Sequence, residues 1–253
     1  MLKSPLCWVG GKSQLRRTII DLLPEHACYV ELFSGAGWVL FGKEPSKVEV
    51  LNDANDELVN FYRIVKEDVE GFLREFRYIL LSRTLFKRLL GTPPAYLSDT
   101  ARAARFYYVL KVSFGGAGRH FGTRTSGAGP LNLDALPGVA REVHHRLRAV
   151  IVECLDFERC VGVYDRPATV FYADPPYHGL ESYYEYPFLP SDHERLAAAL
   201  RAAQGRWLLS YNDVPEIRAL YRGFTIEEVN VRYSRARYRQ GRPLKSELLI
   251  RNF

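Results

Sequence analysis

Residues 28–53 read CYVELFSGAGWVLFGKEPSKVEVLND. The apolar run CYVELF stops at the glycine turn SGAG, residues 34–37, and the run KVEVLND, residues 47–53, ends at an acid, Asp53. A strand, a glycine loop, a helix-length spacer and a strand closed by an acid make a βαβ pattern, which favours a parallel sheet with crossover helices. Open sheets of this kind bind ligands beyond the carboxyl ends of their strands, and glycine lets a ligand approach the backbone there. Asp53 follows the first strand by roughly twenty residues, the usual place for an acid that meets ribose hydroxyls. Phosphate apparatus is missing: Leu40 stands where G-x-G-x-x-G would have its third glycine, and no Walker lysine follows. Ribose recognition without a pyrophosphate grip suggests an adenosine with a non-phosphate tail, a description that S-adenosylmethionine fits. A lone G-x-G also serves as a plain strand-to-helix turn, so its meaning rests on the rest of the chain.

The alternation lapses after Asp53. Leu58, Phe61, Tyr62 and Val65, then Phe72, Leu73, Phe76 and Leu80, fall on one face of a helical stretch from 57 to about 90. A break, GTPPAYLSD (91–99), precedes the helix TARAARFYYVLKV, in which Phe106, like Phe61, Phe72 and Phe76, reads as core. Next comes a loop, residues 115–132, with six glycines, Arg119, His120, Arg124 and no acid. A loop of that length and composition inside a domain is a functional candidate. Strands are expected again at 150–154, 168–173, 207–211, 224–232 and 246–250, with helices at 215–222 and after a capping box at Ser191–Glu194. The expected architecture is one α/β sheet domain, residues 1–56 and 148–253, interrupted by a mostly helical insertion, residues 57–147.

Beyond the strand at 168–173 the chain reads DPPY, Asp174 to Tyr177. Proline cannot extend a sheet ladder, so Pro175 and Pro176 form a stiff elbow past the strand end. Such an elbow fixes Asp174 and the Pro175 carbonyl as neighbouring acceptors, with Tyr177 as a flat surface beside them. An exocyclic amine has two N–H donors in the plane of its ring. Two fixed acceptors hold both, and the aromatic ring stacks on the base. A base in a duplex reaches such a pocket only by swinging out of the stack.

Composition agrees with a folded enzyme that meets a polyanion. Hydrophobic content of 47% and charged content of 25% in 253 residues suffice for a sizeable core. The net charge of +6 is concentrated in RYSRARYRQGRPLK (232–245), which holds six basic residues and no acid. Cys7, Cys28, Cys154 and Cys160 show no metal-ligand spacing, so no metal is expected; Cys28 and Cys154 read as buried strand thiols. Without an amino-terminal signal or a membrane-length apolar run, a soluble cytoplasmic protein is expected.

Taken together, these motifs resemble the Dam-type DNA adenine-N6 methyltransferases of bacteria and their phages. WVGGK (8–12) is similar to that family's W-A-G-G-K, ELFSGAG to its E-P-F-x-G-x-G loop, LNDAN to its second acid motif and DPPY to its catalytic tetrad. LLSYND (208–213) and KSELLIRN (245–252) resemble its carboxyl-terminal strands, and the order is the family's. The resemblance implies a class I S-adenosylmethionine-dependent methyltransferase fold, Rossmann-like, whose insertion recognises the target. It places Trp8, Gly10, Gly11, Lys12, Glu31, Phe33, Gly35, Gly37 and Asp53 along the cofactor, Lys12 at its carboxylate and Asp53 at its ribose. Asp156 and Phe157, in CLDFE, match the segment flanking the cofactor's adenine. Asp174, Pro175, Pro176 and Tyr177 become the catalytic set. Members that read GATC carry a lysine before the tryptophan, where this chain has Cys7, so that recognition site is not transferred.

Double-stranded DNA is the implied partner, for a chain expected to be monomeric and to work beside a cognate restriction endonuclease. Arg119, His120 and Arg124 are candidates for base or backbone contact. Arg235, Arg237, Arg239, Arg242 and Lys245, interleaved with Tyr233 and Tyr238, suit a phosphate-facing segment. The nearest rivals are an N4-cytosine methyltransferase, since cytosine also offers an exocyclic amine, and a DNA-binding regulator that has lost turnover. Aspartate at position 174 favours adenine, and no cysteine lies in the Pro-Cys setting of cytosine-C5 chemistry.

Overall fold

The computed structural model describes every residue except Met1, Val9 and residues 124–130, 184–185 and 233–243. Helix α1 (Arg16–Leu22) precedes β1 (Cys28–Glu31), α2 (Trp38–Gly42) and β2 (Val48–Asn52). Five helices follow: α3 (Asp56–Glu67), α4 (Val69–Arg74), α5 (Arg83–Gly91), α6 (Asp99–Val112) and α7 (Leu136–Leu147). Then come β3 (Val150–Glu153), α8 (Phe157–Tyr164), β4 (Thr169–Ala173), α9 (Pro190–Ala202), β5 (Arg206–Asn212), α10 (Pro215–Leu220), β6 (Thr225–Arg232) and β7 (Leu244–Arg251).

The seven strands form one mixed sheet in the order β3-β2-β1-β4-β5-β7-β6. Strands β1 to β5 run parallel, and β7 enters antiparallel between β5 and β6. Chain direction across the sheet reverses between β1 and β4, the topological switch point at which open α/β sheets bind ligands. This strand order and mixed pairing are consistent with the expected class I methyltransferase fold.

Each expected strand forms within two residues of its expected bounds, because short apolar runs ended by acids or turns carry their own limits. The helical stretch from 57 to about 90 divides in three. Asp68 stops α3 and its side chain accepts from Gly71 N to open α4, while Ser82 accepts from Leu85 N to open α5. Helix α9 begins earlier than the expected Ser191 cap. Pro190 occupies its first position, with the ring presetting φ, and Asp192 reaches back to Leu189 N at 2.7 Å.

Successive strand residues face opposite sides, so the sheet carries two apolar layers. One joins Tyr29, Leu51 and Tyr172 to Phe61, Phe72, Phe76, Phe106 and Tyr107, so helices within 57–147 share a core with the sheet. The other joins Val30, Phe171 and Leu209 to Phe157, Leu196 and Ile217. A buried ion cluster fixes α7 on β2: Arg146 meets both oxygens of Glu49 at 2.5 and 2.9 Å, and Lys43 meets Oε1 at 2.7 Å. Burial alone would raise the Glu49 carboxyl, but these two cations hold it below its ordinary value. Cys28 is half-buried, whereas Cys154 is exposed, against expectation, because it lies just past the end of edge strand β3. Among the described residues no helix is long and apolar enough to cross a membrane, and no group of three His, Cys, Asp or Glu side chains could hold a metal.

Strand β1 ends at Glu31, which is 2% exposed; its Oε2 accepts from Leu40 N (3.0 Å), in the first turn of α2, and from the Tyr29 hydroxyl (3.2 Å). Loss of hydration pushes this carboxyl up to about 8, more than the two donors pull it back. An acid whose folded value exceeds its unfolded one binds a proton on folding. Its stabilising contribution is therefore complete below about pH 4, the unfolded range, and is lost as pH rises through about 8. Urea unfolding from pH 5 to 9 should show the wild type losing stability relative to Glu31→Gln; parallel curves would contradict the assignment.

Candidate active site

At the carboxyl ends of β1, β2 and β4 lies a cavity of about 480 Å³, within the range of small-molecule sites. Of the residues expected along a cofactor, Trp8, Gly11, Lys12, Glu31 and Phe33 line it, as do Gly35, Gly37, Asp53, Asp156 and Phe157. Asp174 and Pro176 of the expected catalytic set line it too, with Arg119 from the insertion. Gly10, Pro175 and Tyr177 are not part of its wall.

Three strand ends are held in place by one amide. Asn52, fully buried, donates through Nδ2 to Leu32 O (2.9 Å) and Leu155 O (3.1 Å) and accepts from Leu155 N (2.9 Å). The next residue, Asp53, spends one oxygen on Gly35 N (2.9 Å) and the other on Asn55 N (3.0 Å), the latter closing the turn into α3. Burial raises the Asp53 carboxyl, and these backbone donors lower it in part. Gly35 has φ +45°, and a Cβ there would stand 2.9 Å from the indole of Trp8, so only glycine allows Trp8 to close that side of the cavity. Opposite, Phe33, Phe157 and Phe188 form a wall of rings with centroids 5.6–6.0 Å apart.

The expected position of Asp156 beside that wall is the N-cap of α8. Its Oδ1 accepts from Glu158 N (3.0 Å) and from Arg195 (3.0 Å), and the Arg195 guanidinium lies 4.8 Å from the Phe157 ring. Arg195 also holds Asp192, the residue that caps α9, at 2.7 Å. This arginine thus ties together α8, α9 and the Phe188 segment, a role the sequence did not signal.

Asp174 emerges from β4 with an 18% exposed side chain, and Lys12 Nζ meets its Oδ1 at 2.7 Å. Ser210 Oγ, on β5, donates to the same oxygen at 2.8 Å. Oδ2 carries no protein donor among the described residues. Burial raises the Asp174 carboxyl, and the Lys12 ammonium opposes that rise without cancelling it. Lys12, expected at a cofactor carboxylate, lines the cavity and is paired there with Asp174. Its ammonium stands 4.7 Å from the Tyr177 ring centroid and 3.9 Å from Glu247 Oε2, which accepts the Tyr177 hydroxyl at 2.6 Å. Tyr177 is only 6% exposed, so the ring expected to be an open platform is covered.

The chain beyond Tyr177 is held from β5 and α9. Asn212 accepts from His178 N (3.1 Å) and donates to His178 O (3.0 Å). Buried His193 meets Tyr211 Oη through Nδ1 (2.5 Å) and Glu181 Oε1 through Nε2 (2.8 Å). Glu247, Ser210 and Asn212 lie in the two carboxyl-terminal motifs, yet no role was read for them. The available signal was an acid inside the apolar strand SELLI, a residue type rarely buried without a partner.

On the loop that follows α6, Arg119 is exposed and donates to Ser182 O (3.3 Å), which sets it over the cavity mouth; His120 is also exposed. Gly116 of the same loop comes so near Cys7 that a Cβ would stand 2.8 Å from the Cys7 carbonyl oxygen. Arg124, Arg235, Arg237, Arg239 and Arg242 lie outside the described residues. Lys245 belongs to β7, its backbone registered opposite Val231.

This geometry has counterparts in known proteins. A chain of Lactococcus lactis subsp. cremoris named Type II methyltransferase M1.LlaDCHI is 26% identical, over 97% of this chain and 94% of that protein. The DNA adenine methylase of Haemophilus influenzae is 25% identical (96% and 91% covered), and that of Vibrio cholerae is 29% identical (96% and 94%). The family model for D12 class N6 adenine-specific DNA methyltransferases matches residues 8–235, from Trp8 through the whole cavity wall. With its glycine loop, its strand-ending acids and its Asp-Pro-Pro-Tyr elbow opening on one cavity, the chain belongs to the D12 class of N6 adenine-specific DNA methyltransferases.

Proposed function

We propose that this enzyme methylates the N6 amino group of an adenine swung out of double-stranded DNA, using S-adenosylmethionine held in the 480 Å³ cavity. The observation that carries the reading is that Asp174 and the glycine loop open on the same cavity. The wall suits that cofactor. Phe33, Phe157 and Phe188 offer rings for its adenine, Asp53 stands where a ribose would lie, and Glu31, Asp53 and Asp174 give a cationic ligand acidic surroundings. When bound, the cofactor supplies a methyl group already activated on a sulfonium, so the protein's contribution is chiefly positioning.

Asp174 Oδ2 takes one N–H of the target amine and the Pro175 carbonyl takes the other, which turns the nitrogen lone pair toward the cofactor. Lys12 and Ser210, both bonded to Oδ1, keep the carboxylate from turning. A neutral aromatic amine is too weak an acid for Asp174 to deprotonate first. Transfer would exchange the sulfonium's S–CH3 bond for the new N–C bond and leave S-adenosylhomocysteine; the methylated nitrogen would then be strongly acidic, and Asp174 would receive its proton at Oδ2.

The helices of 57–147 would read the target, with Arg119 at the cavity mouth and His120 and Arg124 as further contacts. Arg235, Arg237, Arg239, Arg242 and Lys245 would hold phosphates, and the enzyme would act as a monomer. Relatives bearing Type II names support a restriction–modification role beside a cognate endonuclease.

Asp174→Ala should lower methyl transfer to unmethylated DNA by about a hundredfold or more, with S-adenosylmethionine affinity within a few-fold by calorimetry. Near-normal turnover would refute the assignment. If all five basic residues of 235–245 meet phosphates, the logarithm of DNA affinity should fall against the logarithm of salt with a slope near about −4.5. A slope near zero in filter binding would remove that segment from the interface.

A further inference from the structure

Residues 76–98 hold four basic side chains, Arg77, Arg83, Lys87 and Arg88, and no acid. The last three stand exposed on α5. Neighbouring helices neutralise arginines of their own: Arg63 meets Asp99 at 2.6 Å, Arg102 meets Glu57 at 2.5 Å and Arg141 meets Glu70 at 2.8 Å. Among the described residues Arg83, Lys87 and Arg88 have no acid partner. Water alone can cover such a face, so its meaning depends on where it leads.

Both ends of α5 are tied to the cavity rim. Near its start Phe86 packs on Phe121 with ring centroids 5.7 Å apart, and Arg83 donates to Thr123 (2.9 Å), which fixes the helix to the loop that carries Arg119. At its end Arg105 Nε donates to Leu89 O (2.7 Å), and Leu90, 40% exposed, lines the cavity. Arg83, Lys87 and Leu90 are spaced i, i+4, i+7 and so share one face, with Arg88 on the adjoining stripe. The face that carries unpaired cations is thus the face that reaches the cavity wall. From Leu90 to Arg83 it runs about 10 Å at the helical rise of about 1.5 Å per residue. A nucleotide swung into the cavity leaves its backbone outside, beside this face. One strand carries a phosphate about every 3.4 Å of axis, so the face covers roughly three nucleotides.

We propose that α5 is a phosphate-binding rail on which Lys87 and Arg88 hold the backbone of the target strand within about three nucleotides of the flipped adenine. This rests on the reading of the chain as an enzyme that acts on a base swung out of DNA. It adds an anionic contact on an element other than the segment 235–245. Arg83, over the Phe121 ring at 4.9 Å, steadies the rail against its loop.

Lys87→Gln with Arg88→Gln removes both charges and keeps two long polar side chains, and Arg83 is left in place. As a control, Arg166→Gln with Arg206→Gln removes equal charge from exposed residues at the amino-terminal ends of β4 and β5, opposite the cavity. Duplex binding is followed by filter retention across a salt series. The slope of the logarithm of affinity against the logarithm of salt should become shallower by about 1.8 in the α5 double variant, about 0.9 for each phosphate lost, and keep its wild-type value in the control. S-adenosylmethionine affinity should stay within about twofold of wild type by calorimetry, since groups that share no partner couple weakly. The target adenine, located by long-read sequencing of DNA methylated by the wild type, then sets where single neutral methylphosphonate linkages are placed. At one or more linkages within the rail's reach, neutralisation should weaken the wild type and leave the α5 double variant unchanged. A wild-type salt slope for that variant, an equal change in the control, or linkages that cost both proteins alike would overturn the proposal. Absence of methylation by the wild type would instead count against the functional reading, with the salt series still deciding the contact.

Discussion

Everything at the working end of the sheet depends on the side-chain amide of Asn52. Parallel strands stop where their last ladder bonds stop, and the loops beyond them have no partners of their own. By bonding to Leu32 and Leu155 at once, Asn52 fastens the exits of β1, β2 and β3 at one buried point. A buried amide deprived of such partners would cost about 1–3 kcal/mol for each group left unsatisfied. From that point Phe33, Asp53 and Phe157 diverge into the cavity. The ring wall and Asp53 therefore have a common foundation, even though more than a hundred residues (Asn52 to Leu155) separate its ends in sequence.

A second constraint is electrostatic. Three acids, Glu31, Asp53 and Asp174, leave adjacent strands on the same side, and burial raises all three carboxyls. Lys12 is the cation placed against this group, and it restrains Asp174 alone at direct contact. Desolvation outweighs the local donors in each case. A positively charged ligand would relieve that tension, in keeping with the proposed sulfonium cofactor.

Fold and site were legible in the sequence to different depths. The strands were readable because each is a short apolar run with its own stop: Glu31, Asp53 and Asp174 each fall at a strand end. The α9 start departs from the local pattern, since SDHE satisfies a capping box on paper while Leu189 caps the helix two residues before Ser191 and Pro190 begins it. Lining residues followed from motifs that sit beside one another on the chain. What stayed hidden were partnerships across long sequence distances, such as Tyr177 with Glu247 and Asp156 with Arg195. The ion pair of Lys12 with Asp174 was hidden for the same reason. Periodicity records which face a residue occupies, and it contains nothing about which distant element will arrive opposite.

Strand β7 has a consequence for how the molecule is made. It slots between β5 and β6, and its Glu247 completes the arrangement around Tyr177. A growing chain that has delivered β1 to β5 can pair them in parallel, but the tyrosine gains its anchor only after residue 247 has left the ribosome. Until then the Tyr177 hydroxyl lacks the acceptor that Glu247 supplies. Joining segments so distant along the chain also slows the closing of that contact.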